Sequence, residues 1–351
     1  MTTVFTLSQL GWSAFFQQQL SLEECTVQVP ARIVAQHRSC IDVLSEQGPK
    51  RLMYGLDIPA SACALTIGDW LLLNPDGSFC RMLERRSCFS RKAAGTKVAE
   101  QLIAANVDTV FVVTALNHDF SLNRIERYLA LIREAGADAV AVLTKADLCD
   151  DPAAYQCQVQ ALDPLLVVET VNGLDTASVS ALQPWCRAGS TVALLGSSGV
   201  GKSTLINTLT GQTAQLTAEA RVADDKGRHT TTSRTLHLMD GGGILLDTPG
   251  MRELQLADCE TGVQETFADI TELVKRCRYS DCQHQSEPGC AVIEALQAEQ
   301  IDGRRLANYL SLMREQTHNT ASLAEKRARD RSKSRYYRSV QTAARLRKKG
   351  R

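Results

Sequence analysis

The sequence predicts a multidomain chain: an N-terminal β-barrel, an α/β domain on a mostly parallel sheet, and a small, mostly helical C-terminal unit with a basic tail. Three observations predict it. Between Thr26 and Glu84 run about five short, partly alternating segments, separated by Gly, Pro and Asp turns at the spacing of a small barrel. From Val107 to Gly250, β-branched runs alternate with stretches of helical spacing, the pattern of strands wrapped by helices. From Cys277 to Cys290, three cysteines and a histidine stand together in an otherwise helical stretch.

In chain order, residues 1–24 read as a polar, partly helical lead-in, and 25–93 as the barrel. "TVQVPARIVAQ", "SCIDVLSE", "KRLMYGLDI" and "GDWLLLNPDGSFCRMLE" supply its strands, and "ERRSCFSRKAAG" is a basic linker. Residues 94–270 form the α/β domain. "VDTVFVVTAL" is a buried strand by its β-branched run. "SLNRIERYLALIREAG" has helical spacing and a glycine stop. "DAVAVLTKADL", "PLLVVETV" and "STVALLGSS" are further strands, "GKSTLINTLTG" is a helix closed by Gly211, and "GGILLDTPG" is a last buried strand with a turn. Residues 271–323 turn helical and cysteine-bearing. Residues 324–351 form the tail, too poor in apolar side chains to build a core.

Composition narrows the class. A hydrophobic share of 44% and a charged share of 22% are ordinary for a soluble globular protein. No run approaches the roughly 18 apolar residues of a membrane helix, and "MTTVFTLSQLGWSAFF" lacks the basic start of a secretory signal. A cytoplasmic protein without a membrane partner, monomeric in solution, is expected. The 12 cysteines are mostly scattered singly, which argues against a disulfide scaffold, so those outside the cluster read as ordinary thiols. Net charge is zero, yet residues 325–351 carry 12 Lys/Arg against 2 Asp/Glu, a net of +10 balanced by −10 over the rest. Such an end implies an anionic partner, most often nucleic acid, and Tyr336 and Tyr337 suit stacking on unpaired bases.

Three short elements carry the chemistry. "GSSGVGKS", Gly196 to Ser203, fits the phosphate-loop pattern G-x-x-x-x-G-K-[ST] at every fixed position, and it lies between a strand and a helix. Across Gly196, Ser197, Ser198, Gly199, Val200 and Gly201 the backbone can curl so that its N–H groups face phosphates. Lys202 reaches the β and γ phosphates and Ser203 offers a hydroxyl to Mg²⁺. The helix N-terminus, running into Thr204, adds a favourable dipole. Downstream, "ILLDTPG" ends an apolar strand in Asp247, an acid placed to hold Mg²⁺, with Gly250 placed to sense the γ-phosphate. Upstream, "VLTKADL" resembles the N/T-K-x-D element of GTPases, through Thr144, Lys145 and Asp147. There the Asp carboxylate accepts two hydrogen bonds from guanine that adenine cannot offer, and the Lys stem packs along the purine. That pair disfavours an ATPase.

In the usual order the guanine element follows the phosphate loop; here it precedes it. One sheet can still be built if the old chain ends were joined and the chain cut elsewhere. The first half then belongs to the same nucleotide domain, with a barrel in front.

"CRYSDCQHQSEPGC" supplies Cys277, Cys282, His284 and Cys290, spaced C-x4-C-x-H-x5-C. Three thiolates and one imidazole complete a tetrahedral zinc set with no open position, so the site reads as structural, one zinc per chain.

This order, with a zinc cluster after it, resembles the circularly permuted small-subunit ribosome-assembly GTPases of the RsgA/YjeQ type over roughly residues 27–320. The resemblance rests on Gly68, Asp69 and Trp70, on Arg91, Lys92 and Ala93, on T-K-A-D-L, the phosphate loop, "RHTTT" from Arg228 to Thr232, D-T-P-G and the Cys/His cluster. It implies an OB-fold barrel, a permuted GTPase domain and a zinc domain. It also implies GTP hydrolysis, with Mg²⁺, stimulated by the small ribosomal subunit and its rRNA. It makes Thr230 or Thr231 the switch threonine and His229 the group that orients or activates the attacking water. Met251 stands where many GTPases carry a catalytic Gln. Two departures stand out. Thr144 replaces the commoner Asn, which weakens one brace of the site, and no Ser-Ala base-backing loop is evident near "VVETVNGLDT". The competing class is a nucleotide-gated rRNA-binding module whose GTP turnover is incidental.

Overall fold

The computed structural model describes residues 5–59, 62, 64–92, 100–211, 234–239, 241–247 and 259–320. Among them no helix is long and apolar enough to cross a membrane.

The lead-in holds two short helices, α1 (Ala14–Gln17) and α2 (Leu22–Val27), the second opened by a Ser21/Glu24 capping box. It is less polar in place than its composition suggests. Leu10 and Phe16 are buried, and Trp12 meets Trp70 edge-on at 4.8 Å. Five antiparallel strands follow: β1 (Val29–Gln36), β2 (Cys40–Ser45), β3 (Gly48–Met53), β4 (Trp70–Leu73) and β5 (Phe79–Met82). Their order is β5-β4-β1-β2-β3. The G-D-W triplet is a structural joint in this unit. A Cβ on Gly68 would lie 2.0 Å from the Ala105 carbonyl oxygen. Buried Asp69 accepts from Arg85 at 2.7 and 2.9 Å, and Trp70 fills the core.

The expected basic linker is instead a strand. β6 (Cys88–Lys92) pairs antiparallel with β7 (Glu100–Ala105), and Phe89 and Ile103 are buried beneath this ribbon. Two of the linker's cations are spent internally, Arg85 on Asp69 and Arg86 on Asp108.

The α/β sheet contains β8 (Thr109–Ala115), β9 (Asp138–Thr144), β10 (Val167–Val171), β11 (Thr191–Leu195), β12 (Arg234–Leu238) and β13 (Ile244–Asp247). The order is β10-β9-β8-β11-β13-β12, parallel except for β12. β8 and β11 are buried along their whole length, as central parallel strands must be. β12 also pairs with β1 at Ala35–Thr235 and Gln36–Arg234, so one sheet runs from the α/β strands into the N-terminal unit.

Among the described residues, four helices pack around this sheet: α3 (Leu122–Glu134), α4 (Pro152–Gln160), α5 (Thr176–Val179) and α6 (Lys202–Leu209). Ser121 caps α3, and Gly136 takes positive φ just past its end.

The C-terminal helices are α7 (Glu260–Thr266), α8 (Ala268–Val274), α9 (Ala291–Gln297) and α10 (Gly303–Thr320). They pack on α3. Gly262 lets α7 approach so closely that a Cβ would lie 2.0 Å from the Ala130 carbonyl oxygen, and its N–H donates to Glu134 at 2.7 Å. Glu126 on α3 is fully buried. It accepts from Arg304 at 2.9 and 3.1 Å, Arg305 at 2.7 Å and Asn308 at 2.5 Å. One continuous buried cluster joins Trp70 of the N-terminal unit, Val110 and Ile125 of the α/β layer, and Phe267 and Tyr309 of the C-terminal helices.

Candidate functional site

The carboxyl ends of β8, β9, β10 and β11 lie side by side, the edge where open α/β sheets bind ligands. The loop from Gly196 to Gly201 leaves β11 there and enters α6 at Lys202. Its glycines are required by geometry. Gly199 and Gly201 have φ of +80° and +94°, and a Cβ on Gly196 would lie 2.3 Å from the Val113 carbonyl oxygen. Val200 is buried and anchors the loop, while Ser198, Gly199 and Ser203 are exposed and Ser197 and Thr204 half-buried. Lys202 is buried. Its Nζ donates to the Gly196 carbonyl at 2.7 Å and also to the Ser197 carbonyl, so the ammonium is held within the loop's curl.

β9 delivers Thr144, Lys145 and Asp147 to the same edge. Lys145 sits in the left-handed region at φ 60°, and the turn Ala146–Leu148 presents Asp147 to solvent. The buried Thr144 hydroxyl lies 2.6 Å from the Val200 carbonyl and 3.4 Å from that of Thr114. A hydroxyl has one hydrogen, so it serves the nearer carbonyl, where an Asn amide could serve both. The T-K-A-D turn and the G-S-S-G-V-G-K-S loop are thus tied directly, although 56 residues separate Thr144 from Val200.

β13 ends at Asp247, whose backbone pairs with Thr235. The Asp247 side chain, His229, Thr230, Thr231 and Gly250 lie outside the described residues, as does the basic tail.

Two parts of this edge were missed in the sequence. The loop after β10 lies on α6: Thr208 donates its hydroxyl hydrogen to the Gly173 carbonyl at 2.7 Å, and Asn172 Oδ1 accepts from Leu174 N at 3.0 Å. It leaves β10 at Val171, which pairs with Thr144 of T-K-A-D. Its signal was the N-G after an apolar strand. The second part is Asp119 with Arg124. Their side chains meet Ser197 of the phosphate loop, and the Arg124 guanidinium holds the Asp119 carboxyl below the usual carboxylate range. No local pattern announced them.

Cys277, Cys282, His284 and Cys290 come together as the spacing implied, their ligand atoms all within 4.8 Å of one another. Cys277 Sγ lies 3.9 Å from Cys290 Sγ, and His284 Nδ1 lies 3.6 and 3.5 Å from those two sulfurs. A tetrahedron of Zn–S bonds of roughly 2.3 Å puts sulfurs about 3.8 Å apart. The donor set therefore fits zinc and excludes a disulfide between these sulfurs. Burial holds His284 below its ordinary pKa, which favours the neutral, ligating imidazole. Burial and the neighbouring thiols push Cys282 up to about 11, a cost that a bound dication removes. Glu287 braces the turn, accepting from the N–H groups of Gln283, Gln285 and Ser286 at 2.9, 2.9 and 3.0 Å.

The model of the RsgA GTPase family matches residues 82–257. A Vibrio parahaemolyticus protein named small ribosomal subunit biogenesis GTPase RsgA 2 is 56% identical, over 99% of this chain and 96% of its own. The chain belongs to the RsgA GTPase family. A Mesorhizobium japonicum RsgA is 47% identical over 90% of this chain and 91% of its own. Among solved structures, YjeQ from Thermotoga maritima is 25% identical with a TM-score of 0.63, covering 82% of this chain and 98% of that one. YloQ, described as a circularly permuted GTPase, is 22% identical with a TM-score of 0.58, covering 84% and 96%. The fold is that of a circularly permuted GTPase. In this chain the permutation explains why β8, β9 and β10 precede β11 yet lie together on one side of it in the sheet.

Proposed function

We propose that the chain is a GTPase that binds the small ribosomal subunit and couples GTP hydrolysis to late maturation of that subunit, as the names of its relatives indicate for them. One observation carries the nucleotide part. T-K-A-D and the phosphate loop, reversed in chain order, meet at one sheet edge through Thr144 and Val200.

The residues divide the work. Asp147 accepts from guanine, and Lys145 lies along the base. The amides from Gly196 to Thr204 cradle the phosphates, and Lys202 neutralises charge on the β and γ groups. Mg²⁺ bound with GTP would supply charge compensation between the phosphates. Ser203, Asp247 and one of Thr230 and Thr231 would hold it. His229 orients the attacking water, since Met251 cannot. Cys277, Cys282, His284 and Cys290 would hold one structural zinc, which fastens helices too short to build a core of their own.

The strand order β5-β4-β1-β2-β3 supports an OB-type barrel, a common platform for RNA. Together with the C-terminal unit and the basic tail it offers rRNA three contact regions. α7 follows D-T-P-G in the chain and rests on α3, so the GTP state reaches the C-terminal helices by a short path. The protein works as a cytoplasmic monomer, with no membrane partner.

The test is GTP hydrolysis with and without purified small or large ribosomal subunits, at low and moderate salt, alongside His229→Ala. Stimulation by small subunits alone, lost in the variant with GTP binding intact, is the expected result. Tight GTP binding without stimulation under any condition would instead identify a nucleotide-gated rRNA-binding module.

A further inference from the structure

Ser197 is the second residue of the phosphate loop, and its carbonyl and its hydroxyl are both engaged. Its carbonyl accepts from Lys202 Nζ. Its hydroxyl closes a triangle: it donates to Asp119 Oδ2 at 2.9 Å and accepts from Arg124 Nη1 at 2.8 Å, while Arg124 Nη1 donates to the same Asp119 oxygen at 2.9 Å. Arg124 also reaches the Asp119 carbonyl at 3.3 Å.

The mount for this triangle is stiff. Asp119 N donates to Asn117 Oδ1 at 3.0 Å. Arg124 lies in the first turn of α3, its own N–H on the Ser121 cap at 3.4 Å. The helix is fastened two residues further along by buried Glu126. Arg124 and Asp119 are themselves 35% and 37% exposed, and pairs so exposed contribute little to global stability. What the triangle does hold is the first bend of the phosphate loop.

We propose that Arg124 is a positioning residue for the GTPase reaction: with Asp119 it fixes Ser197, and through Ser197 the curl of the loop that receives the phosphates. The proposal rests on the reading of Gly196 to Ser203 as that phosphate site. A loop already set in shape loses less freedom when nucleotide arrives, so its amides bind more tightly and stay aligned during hydrolysis.

The experiment compares Arg124→Ala, Arg124→Lys, Asp119→Asn and Arg81→Ala in the full-length protein. Arg81→Ala removes a similarly exposed ion pair, to Glu24, in the N-terminal unit. The readouts are the Kd of a fluorescent GDP analogue, kcat and KM for GTP, and Tm. Arg124→Ala and Asp119→Asn are expected to raise Kd about fivefold or more and to lower kcat/KM at least as much, on the scale of a lost charge-assisted hydrogen bond. Arg124→Lys, which keeps the charge and loses the planar fork, falls between them and wild type. Arg81→Ala changes Tm alone.

Nucleotide parameters within twofold of wild type in both Arg124→Ala and Asp119→Asn would overturn the proposal. Full function in Arg124→Lys beside loss in Arg124→Ala would overturn it too, because the charge alone would then suffice. If Arg124→Ala does not fold, Arg124→Lys and Asp119→Asn decide. A wild-type protein that binds nucleotide without hydrolysing GTP would count against the enzyme assignment, while Kd would still test the positioning role.

Discussion

Replacing Glu126 by Gln should loosen the C-terminal helices from α3 without disturbing the nucleotide sheet. The Glu126 carboxylate has no solvent exposure, so screening gives no relief. It accepts four hydrogen bonds, from Arg304 twice, Arg305 and Asn308, at 2.5 to 3.1 Å. The amide keeps one acceptor oxygen and turns an NH₂ toward cations and donors. Removing one member of a buried ion pair costs about 3–5 kcal/mol. Arg305 keeps Asp269, at 2.9 Å to each carboxylate oxygen, and the Thr266 carbonyl at 2.8 Å, so it is not orphaned. The lower bound, about 3 kcal/mol, is the expected loss, equal to roughly a hundredfold in an opening equilibrium. Amide hydrogen exchange reads this directly. Protection across Gly303–Thr320 should fall about a hundredfold while β8 and β9 keep theirs. A change under threefold in α10, or an equal loss in β8 and β9, would refute the reasoning. The first would mean the network contributes nothing net, and the second that the C-terminal helices do not open as a separate unit.

Three further outcomes are expected. Thr144→Val strands the buried Val200 carbonyl, at a cost of about 1–3 kcal/mol, and weakens GDP binding about tenfold by titration of a fluorescent analogue; an unchanged Kd would show that the brace does not matter to the nucleotide. Glu287→Gln has one acceptor oxygen for three N–H groups, so chelator competition should strip zinc at about tenfold lower chelator than from wild type, and stripping should unprotect α9 first. Arg81, bonded to Glu24, holds that carboxyl down to about 2, so its stabilisation is complete above pH 4.5 and is lost as pH falls toward 2; in Arg81→Ala, the rise of Tm with pH across that window should be shallower.

Whatever depends on neighbours along the chain could be read from the residues alone. The phosphate loop, T-K-A-D and the Cys/His cluster were legible because each is a run in which residue type and spacing are the chemistry: glycines where φ is positive, a lysine at the helix start, thiols at ligand spacing. Their chain order already required a permuted sheet. Partners far away in sequence came into view with the folded chain. Gly68 in the G-D-W motif is there because the Ala105 backbone crosses it. The basic linker pairs as β6 because β7 arrives beside it. Glu126 looks like one more surface acid on an amphipathic helix until Arg304, Arg305 and Asn308 close over it, 178 to 182 residues later. Arg124 and Asp119 meet the G-S-S-G-V-G-K-S loop only when β11 places Ser197 against them. One cause underlies every case. A backbone conformation or a ligand spacing is written within a few residues, whereas the partner of a buried charge or a close backbone crossing is set by which elements the folded chain brings into contact.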